Sequence, residues 1–94
     1  MRESAIERSV CEYARKTGWL ALKFVCPGRR GVPDRQFISP TGKIAFVEFK
    51  APKKSPTVLQ LREIGILKSR GVRVEWFDSA ENAKRWLDSI LAEG

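Results

Sequence analysis

Apolar and polar positions alternate along this chain with two different periods, and the switches between them outline seven elements. Ile6, Val10, Tyr13 and Ala14 recur at helical spacing within residues 4–17, and Gly18 stands where a left-handed residue would end that helix. Trp19 to Cys26 reads as a strand, followed by a loop at Pro27-Gly28-Arg29-Arg30-Gly31. Residues 34–39 and 43–50 are two more strands, separated by the turn signal Pro40-Thr41-Gly42. Ala51 to Ser55 is a short basic loop, and Ser55 and Pro56 suit the N-cap and first position of a helix running to about residue 70. After Gly71, Val72 to Phe77 is a strand. Asp78-Ser79-Ala80-Glu81 then has the form of a capping box, opening a helix with Ala83, Trp86, Leu87, Ile90 and Leu91 on one stripe.

The order α-β-β-β-α-β-α predicts an α/β fold with a mixed central sheet of about four strands flanked by helices. The strand at 44–49 is apolar on both faces, with Ile44 and Phe46 on one and Ala45, Val47 and Phe49 on the other. Such a strand is central and covered by helices. No repeat, low-complexity tract or linker interrupts the chain, so residues 1–94 read as one domain.

The hairpin carries the candidate chemistry. Asp34 and Glu48 are equally far from Thr41, so in a symmetric hairpin they face each other, with Cβ atoms about 4.5–5.5 Å apart. A slip of one residue would turn them apart. Glu48 and Lys50, two apart, share a face of their strand. Charged groups at the end of a buried strand need a partner or a metal, because an isolated buried charge is costly. Mg²⁺ is usually held by one or two carboxylates together with waters and substrate phosphate. Asp34 and Glu48 suit that ligand role, and the backbone carbonyl of Phe49 is a third candidate. Lys50 would orient an attacking water, offset charge developing on a phosphate, or act as a general base, and its position does not choose among these. The plainer reading is a solvated Glu-x-Lys ion pair, which is common on strands; the Asp at the mirrored hairpin position argues against it.

Charge and composition narrow the chemistry. With 18 Lys+Arg against 11 Asp+Glu the net charge is +7, the footprint expected of phosphate binding. There is no histidine, which excludes His-ligated zinc, Ser-His-Asp triads and any nuclease built on an imidazole base. Cys11 and Cys26 lack metal-ligand spacing and read as reduced thiols. No stretch approaches the apolar length of a membrane span, and no signal-like apolar region opens the chain. A cytoplasmic location is the expectation.

Gly31-Val32-Pro33-Asp34, Phe46-Val47-Glu48-Phe49-Lys50-Ala51-Pro52 and Gln60 together resemble the VRR-NUC branch of the PD-(D/E)XK nucleases, in its standalone phage and bacterial form. The resemblance runs from Glu7 through the final strand, and its motifs are specific in combination though weak singly. It implies a restriction-endonuclease-like core, Asp34 and Glu48 as metal ligands, Lys50 as the catalytic lysine, and Mg²⁺ as cofactor with Mn²⁺ able to substitute. It also implies that Gln60 supports the site and that Glu7 completes the acidic set. Two of these have plainer readings. Glu7 follows Ser4 by three and could close a capping box, and Gln60 could be a solvated surface amide.

Arg29 and Arg30 precede the hairpin strand, and Lys53 and Lys54 follow Lys50. Both pairs border the site and would grip phosphates on either side of the cut bond, contacts that position a substrate without reading its sequence. Trp19, Trp76 and Trp86 fall at core-like positions and read as packing. A chain this small offers little surface for reading base edges, so selection by nucleic-acid shape is expected. Two coordinated cuts need two sites, and standalone members of the resembled branch and related junction resolvases pair them in a dimer. The expectation is a homodimeric endonuclease cutting branched DNA, four-way junctions above all, with apolar positions on the first or last helix as candidate dimer surfaces. The alternatives are a flap, single-strand or RNA nuclease and a catalytically idle DNA-binding subunit of the same fold.

Overall fold

The computed structural model describes residues 1–93, so Gly94, the end of the one-domain reading, lies outside the described residues. The elements are α1 (Glu3–Lys16), β1 (Leu20–Lys23), β2 (Arg35–Ile38), β3 (Ile44–Phe49), α2 (Val58–Ser69), β4 (Arg73–Phe77) and α3 (Ala80–Leu91). The α-β-β-β-α-β-α order stands as read from the sequence, and every strand is shorter than its apolar run. The sheet order is β1-β2-β3-β4. Its first three strands are antiparallel, and β4 runs parallel to β3, a pairing that requires the crossover through α2.

Helix starts differ from the expected ones. Thr57, and not Ser55, is the N-cap of α2: its side chain accepts from the Gln60 N–H while the Gln60 side chain accepts from the Thr57 N–H. α3 is capped by Ser79, which accepts from Asn82 N–H, so Asp78 does not close the box with Glu81. α1 begins at Glu3 behind an Arg2 that makes no side-chain cap. Ser4 therefore lies inside the helix, and the Ser4–Glu7 capping box does not form.

α1 and α3 cover one face of the sheet. Ile6, Val10, Cys11 and Ala14 of α1 and Ala83, Leu87 and Ile90 of α3 pack with Phe37, Ala45, Val47 and Phe49 into one core. Trp19 joins it edge-on to Phe37, with ring centroids 6.4 Å apart, and Trp86 packs against Phe77. The apolar stripes of the first and last helices are thus interior, which removes them as dimer surfaces. On the other face α2 covers Phe24 and Phe46, whose rings meet at 4.9 Å. It leaves Leu20, Leu22 and Ile44 exposed, so β3 is central but only partly covered on this side. Both cysteines are free, and among the described residues no helix is long and apolar enough to cross a membrane.

Phe37, fully buried, joins sheet to helices. Phe37→Ala should cost about 3–5 kcal/mol against a total stability of about 5–15 kcal/mol. Urea unfolding of the two proteins measures the difference.

Candidate active site

The hairpin is symmetric about Thr41, with Arg35 opposite Val47 and Ile38 opposite Ile44. Ser39 stabilises the turn: its Oγ accepts from Lys43 N–H at 2.9 Å and from Thr41 N–H at 3.3 Å. One step beyond the last paired residue of β2, the register sets Asp34 opposite Glu48. Ser39 N–H donates to the Lys43 carbonyl, so bonded and non-bonded pairs alternate from there and Asp34–Glu48 falls on a non-bonded pair. In such pairs the chains approach most closely and side chains are nearest, with Cα atoms about 4.5 Å apart. By the same alternation the Phe49 carbonyl faces Pro33, which has no N–H to offer. The ladder therefore leaves that carbonyl without a donor.

Glu48 is 3 % exposed. Its Oε2 accepts from Gln60 Nε2 at 3.2 Å and lies 3.8 Å from Lys50 Nζ, while its Oε1 is buried without any partner. The orientation of Gln60 follows from the capping box. Its amide oxygen is held by Thr57 N–H at 2.9 Å, so its NH₂ group is turned toward Glu48. Burial first, and then the neighbouring Asp34, push the Glu48 carboxyl from its ordinary 4.5 up to about 7, with Lys50 opposing the rise and Glu3 adding to it. A buried carboxylate with one orphaned oxygen facing an exposed one, Asp34, fits a hard divalent cation, which is bound through one or two carboxylates and completed by carbonyls and waters. Among the described residues no group of three or more His, Cys, Asp or Glu side chains gathers for a metal. Any such ion would have to draw its protein donors from Asp34, Glu48 and the Phe49 carbonyl.

Asp34, Glu48, Lys50 and Gln60 thus come together on the sheet face under α2. Glu7 sits elsewhere. Its Oε2 is bonded by Arg35 Nε and by Lys23 Nζ at 3.2 Å, and Arg35 points, with Phe37, to the α1 face. Burial would raise the Glu7 carboxyl, but the hydrogen bonds from Arg35 and Lys23 hold it below its ordinary value. Of the four loop cations, Arg29 is engaged in a two-point ion pair with Glu63 of α2. Arg30, Lys53 and Lys54 are exposed, and the Lys53 backbone, at φ +67°, is fixed by its N–H donating to Asp78 at 3.1 Å.

Three side-chain contributors, Thr57, Glu63 and Trp76, escaped the sequence reading. Thr57 orients Gln60; Thr57-x-x-Gln60 is itself a capping-box spacing and was legible. Buried Glu63 ties the loop before Asp34 to α2, and Gly31 lets that loop close: at φ +83°, an added Cβ would lie 2.9 Å from Leu59 Cγ and 3.1 Å from the Leu59 carbonyl oxygen. Trp76 lies beside Glu48 across the parallel pair. Only the strand register reveals that last neighbour.

A mixed sheet with helices on both faces, an Asp facing a Glu across a hairpin and a Lys two residues on define the restriction-endonuclease-like class of nuclease. Comparison with known proteins narrows this. The chain is 51 % identical over 91 residues to "Putative nuclease p44" of Acyrthosiphon pisum secondary endosymbiont phage 1, spanning 97 % of this chain and 92 % of that protein. It superimposes on a solved structure described as a VRR_NUC domain with a TM-score of 0.83, at 31 % identity, over 92 % of this chain and 94 % of that one. No protein-family model matches. The chain belongs to the VRR-NUC family of nucleases.

The raised Glu48 carboxyl sets a pH dependence. The folded protein holds that proton up to about pH 7 and the unfolded chain only to about 4.5, so stability falls as pH rises through that window. In metal-free buffer, Glu48→Gln should be more stable than the parent at pH 8, by up to about 3 kcal/mol, and equal to it below pH about 4. Urea unfolding at both pH values checks this, and a variant destabilised at pH 8 would show the carboxylate to be charged and well paired.

Proposed function

We propose that this chain is a Mg²⁺-dependent endodeoxyribonuclease that hydrolyses phosphodiester bonds in branched DNA, with four-way junctions as the favoured substrate and two copies acting together. The observation that carries the reading is the unpartnered, buried Glu48 Oε1 opposite Asp34, with Lys50 beside it. Asp34, Glu48 and the Phe49 carbonyl would hold the ion, which when bound polarises the phosphodiester and lowers the pKa of its attacking water. Gln60 and Lys50 both engage Glu48 Oε2, which keeps Oε1 as the free donor. Lys50, in a side-chain position 16 % exposed, would orient the water or offset charge on the phosphate as the bond breaks. Glu7 would act one step away, fixing Arg35, the residue next to Asp34. Exposed Arg30, Lys53 and Lys54 would hold flanking phosphates, and Arg29 would secure its loop through Glu63.

Support for a pair of copies comes from the single site per chain and from the exposed Leu20, Leu22 and Ile44 on the open sheet face, apolar area that a twofold partner would cover. The test is cleavage of end-labelled four-way junction, flap, single strand and plain duplex with Mg²⁺ present and absent. Paired symmetric cuts in the junction are expected, lost in Asp34→Asn. Lys50→Ala should slow cleavage at least about 100-fold while junction binding changes little. Asp34-dependent cutting of flaps or single strands alone would replace the junction reading. No Asp34-dependent cutting of any DNA would favour an idle binding subunit.

A further inference from the structure

We infer that β1 is the edge along which two copies of this chain join, pairing antiparallel about Leu22 so that their sheets become one continuous sheet; this rests on the two-copy reading above. β1 stands at the end of the sheet order. Phe24 N–H donates to the Asp34 carbonyl, so Phe24, Leu22 and Leu20 direct their backbone groups to β2, while those of Ala21 and Lys23 point out of the sheet. Among the described residues only the Ala21 carbonyl is met there, by Arg15 Nη2 at 3.4 Å, long for a hydrogen bond. Such a row of open N–H and C=O groups is a template for another strand. The opposite edge is guarded, because Arg73 and Glu75 of β4 are held in ion pairs with Glu93 and Lys68, and charged side chains blunt an edge. β1 instead exposes Leu20 at 58 % and Leu22 at 41 %.

This edge is complementary to itself. A twofold axis through Leu22 sets Ala21 opposite the partner's Lys23 and Lys23 opposite the partner's Ala21, closing reciprocal backbone hydrogen bonds. Leu22 then meets the partner's Leu22 in a close, non-bonded pair, and Leu20 meets the partner's Phe24 on the same face. Charge agrees with the pairing. Lys23, the one charge of β1, is already offset by Glu7 at 3.2 Å. That contact also sets Glu7 level with Lys23, so Arg8 and Glu12 of α1 bracket the level of Leu22. Arg8 and Glu12 are exposed, spaced by four, and line one groove with Lys23. Neither makes an ion pair among the described residues. The same axis lays the two α1 helices antiparallel, side by side, with Arg8 toward the partner's Glu12. Covering the sheet face-on would bury the leucines and Ile44 but leave the edge groups and these two charges as they are. Edge pairing answers the open strand edge, the leucines and the charges together. It also fixes the sites. Both open on the same face of the joined sheet, and Asp34 lies level with Phe24, two residues from the axis. Strand spacing and rise then place the sites about 23 Å apart.

The test combines cysteine cross-linking with sedimentation velocity, both without DNA. In a Cys26→Ser background, Leu22→Cys should form a covalent dimer under mild oxidation, because the opposed Cα atoms of such a pair stand about 4.5 Å apart, within disulfide range. Ile44→Cys, two strands inward, should not. Leu22→Asp should raise the dimer dissociation constant at least about 10-fold by opposing like charges, with circular dichroism unchanged. Arg8→Glu should weaken the dimer as well, and adding Glu12→Arg to it should restore the parent's mass; a structural defect at Arg8 would not be rescued in this way. A dimer that links through Ile44→Cys and not through Leu22→Cys overturns the edge and leaves the two-copy reading. Parent protein that sediments as a monomer at every concentration overturns both. Cleavage by the parent is read separately, so loss of the edge and loss of the nuclease reading are told apart.

Discussion

A carboxylate at the end of a central strand, sealed from solvent and satisfied on only one oxygen, is costly to keep charged. Much of the structure around Glu48 is arranged to control that charge. Gln60 and Lys50 approach Oε2, and burial together with the neighbouring Asp34 raises the carboxyl to about 7. The group is poised between its protonated and its charged form near neutral pH. This poise requires the hairpin register, because a one-residue slip would rotate Asp34 to the α1 face and leave Glu48 buried without its counterpart.

α2 keeps that register useful. Its capping box orients Gln60, Glu63 takes Arg29, and Gly31 lets the loop before Asp34 lie against Leu59. One short helix therefore touches both carboxylate-bearing segments. Unlike α1 and α3, whose apolar stripes go into the core, α2 leaves Val58, Leu59 and Leu61 exposed and buries Glu63 and Ile64. On the opposite face a separate polar cluster, Glu7 with Arg35 and Lys23, ties α1 to β1 and β2. The two clusters lie on either side of β2, and Asp34 and Arg35, adjacent in sequence, serve one each.

The seven elements, their order, the hairpin centred on Thr41 and the meeting of Asp34, Glu48 and Lys50 were determined by the sequence alone. They depend on local periodicity, turn chemistry and the two-residue repeat of strands, all of which act over a few residues. Element ends were less legible, since Ser55 and Thr57 are both competent caps and only the docking of α2 selects between them. The tertiary structure alone decided that Gln60 reaches Glu48, that Arg29 is tied to Glu63, and that Glu7 is held by Arg35 and Lys23. It also placed Trp76 beside Glu48. Each of these depends on which long side chain reaches which partner across separate elements, and sequence spacing carries no information about distances of that kind.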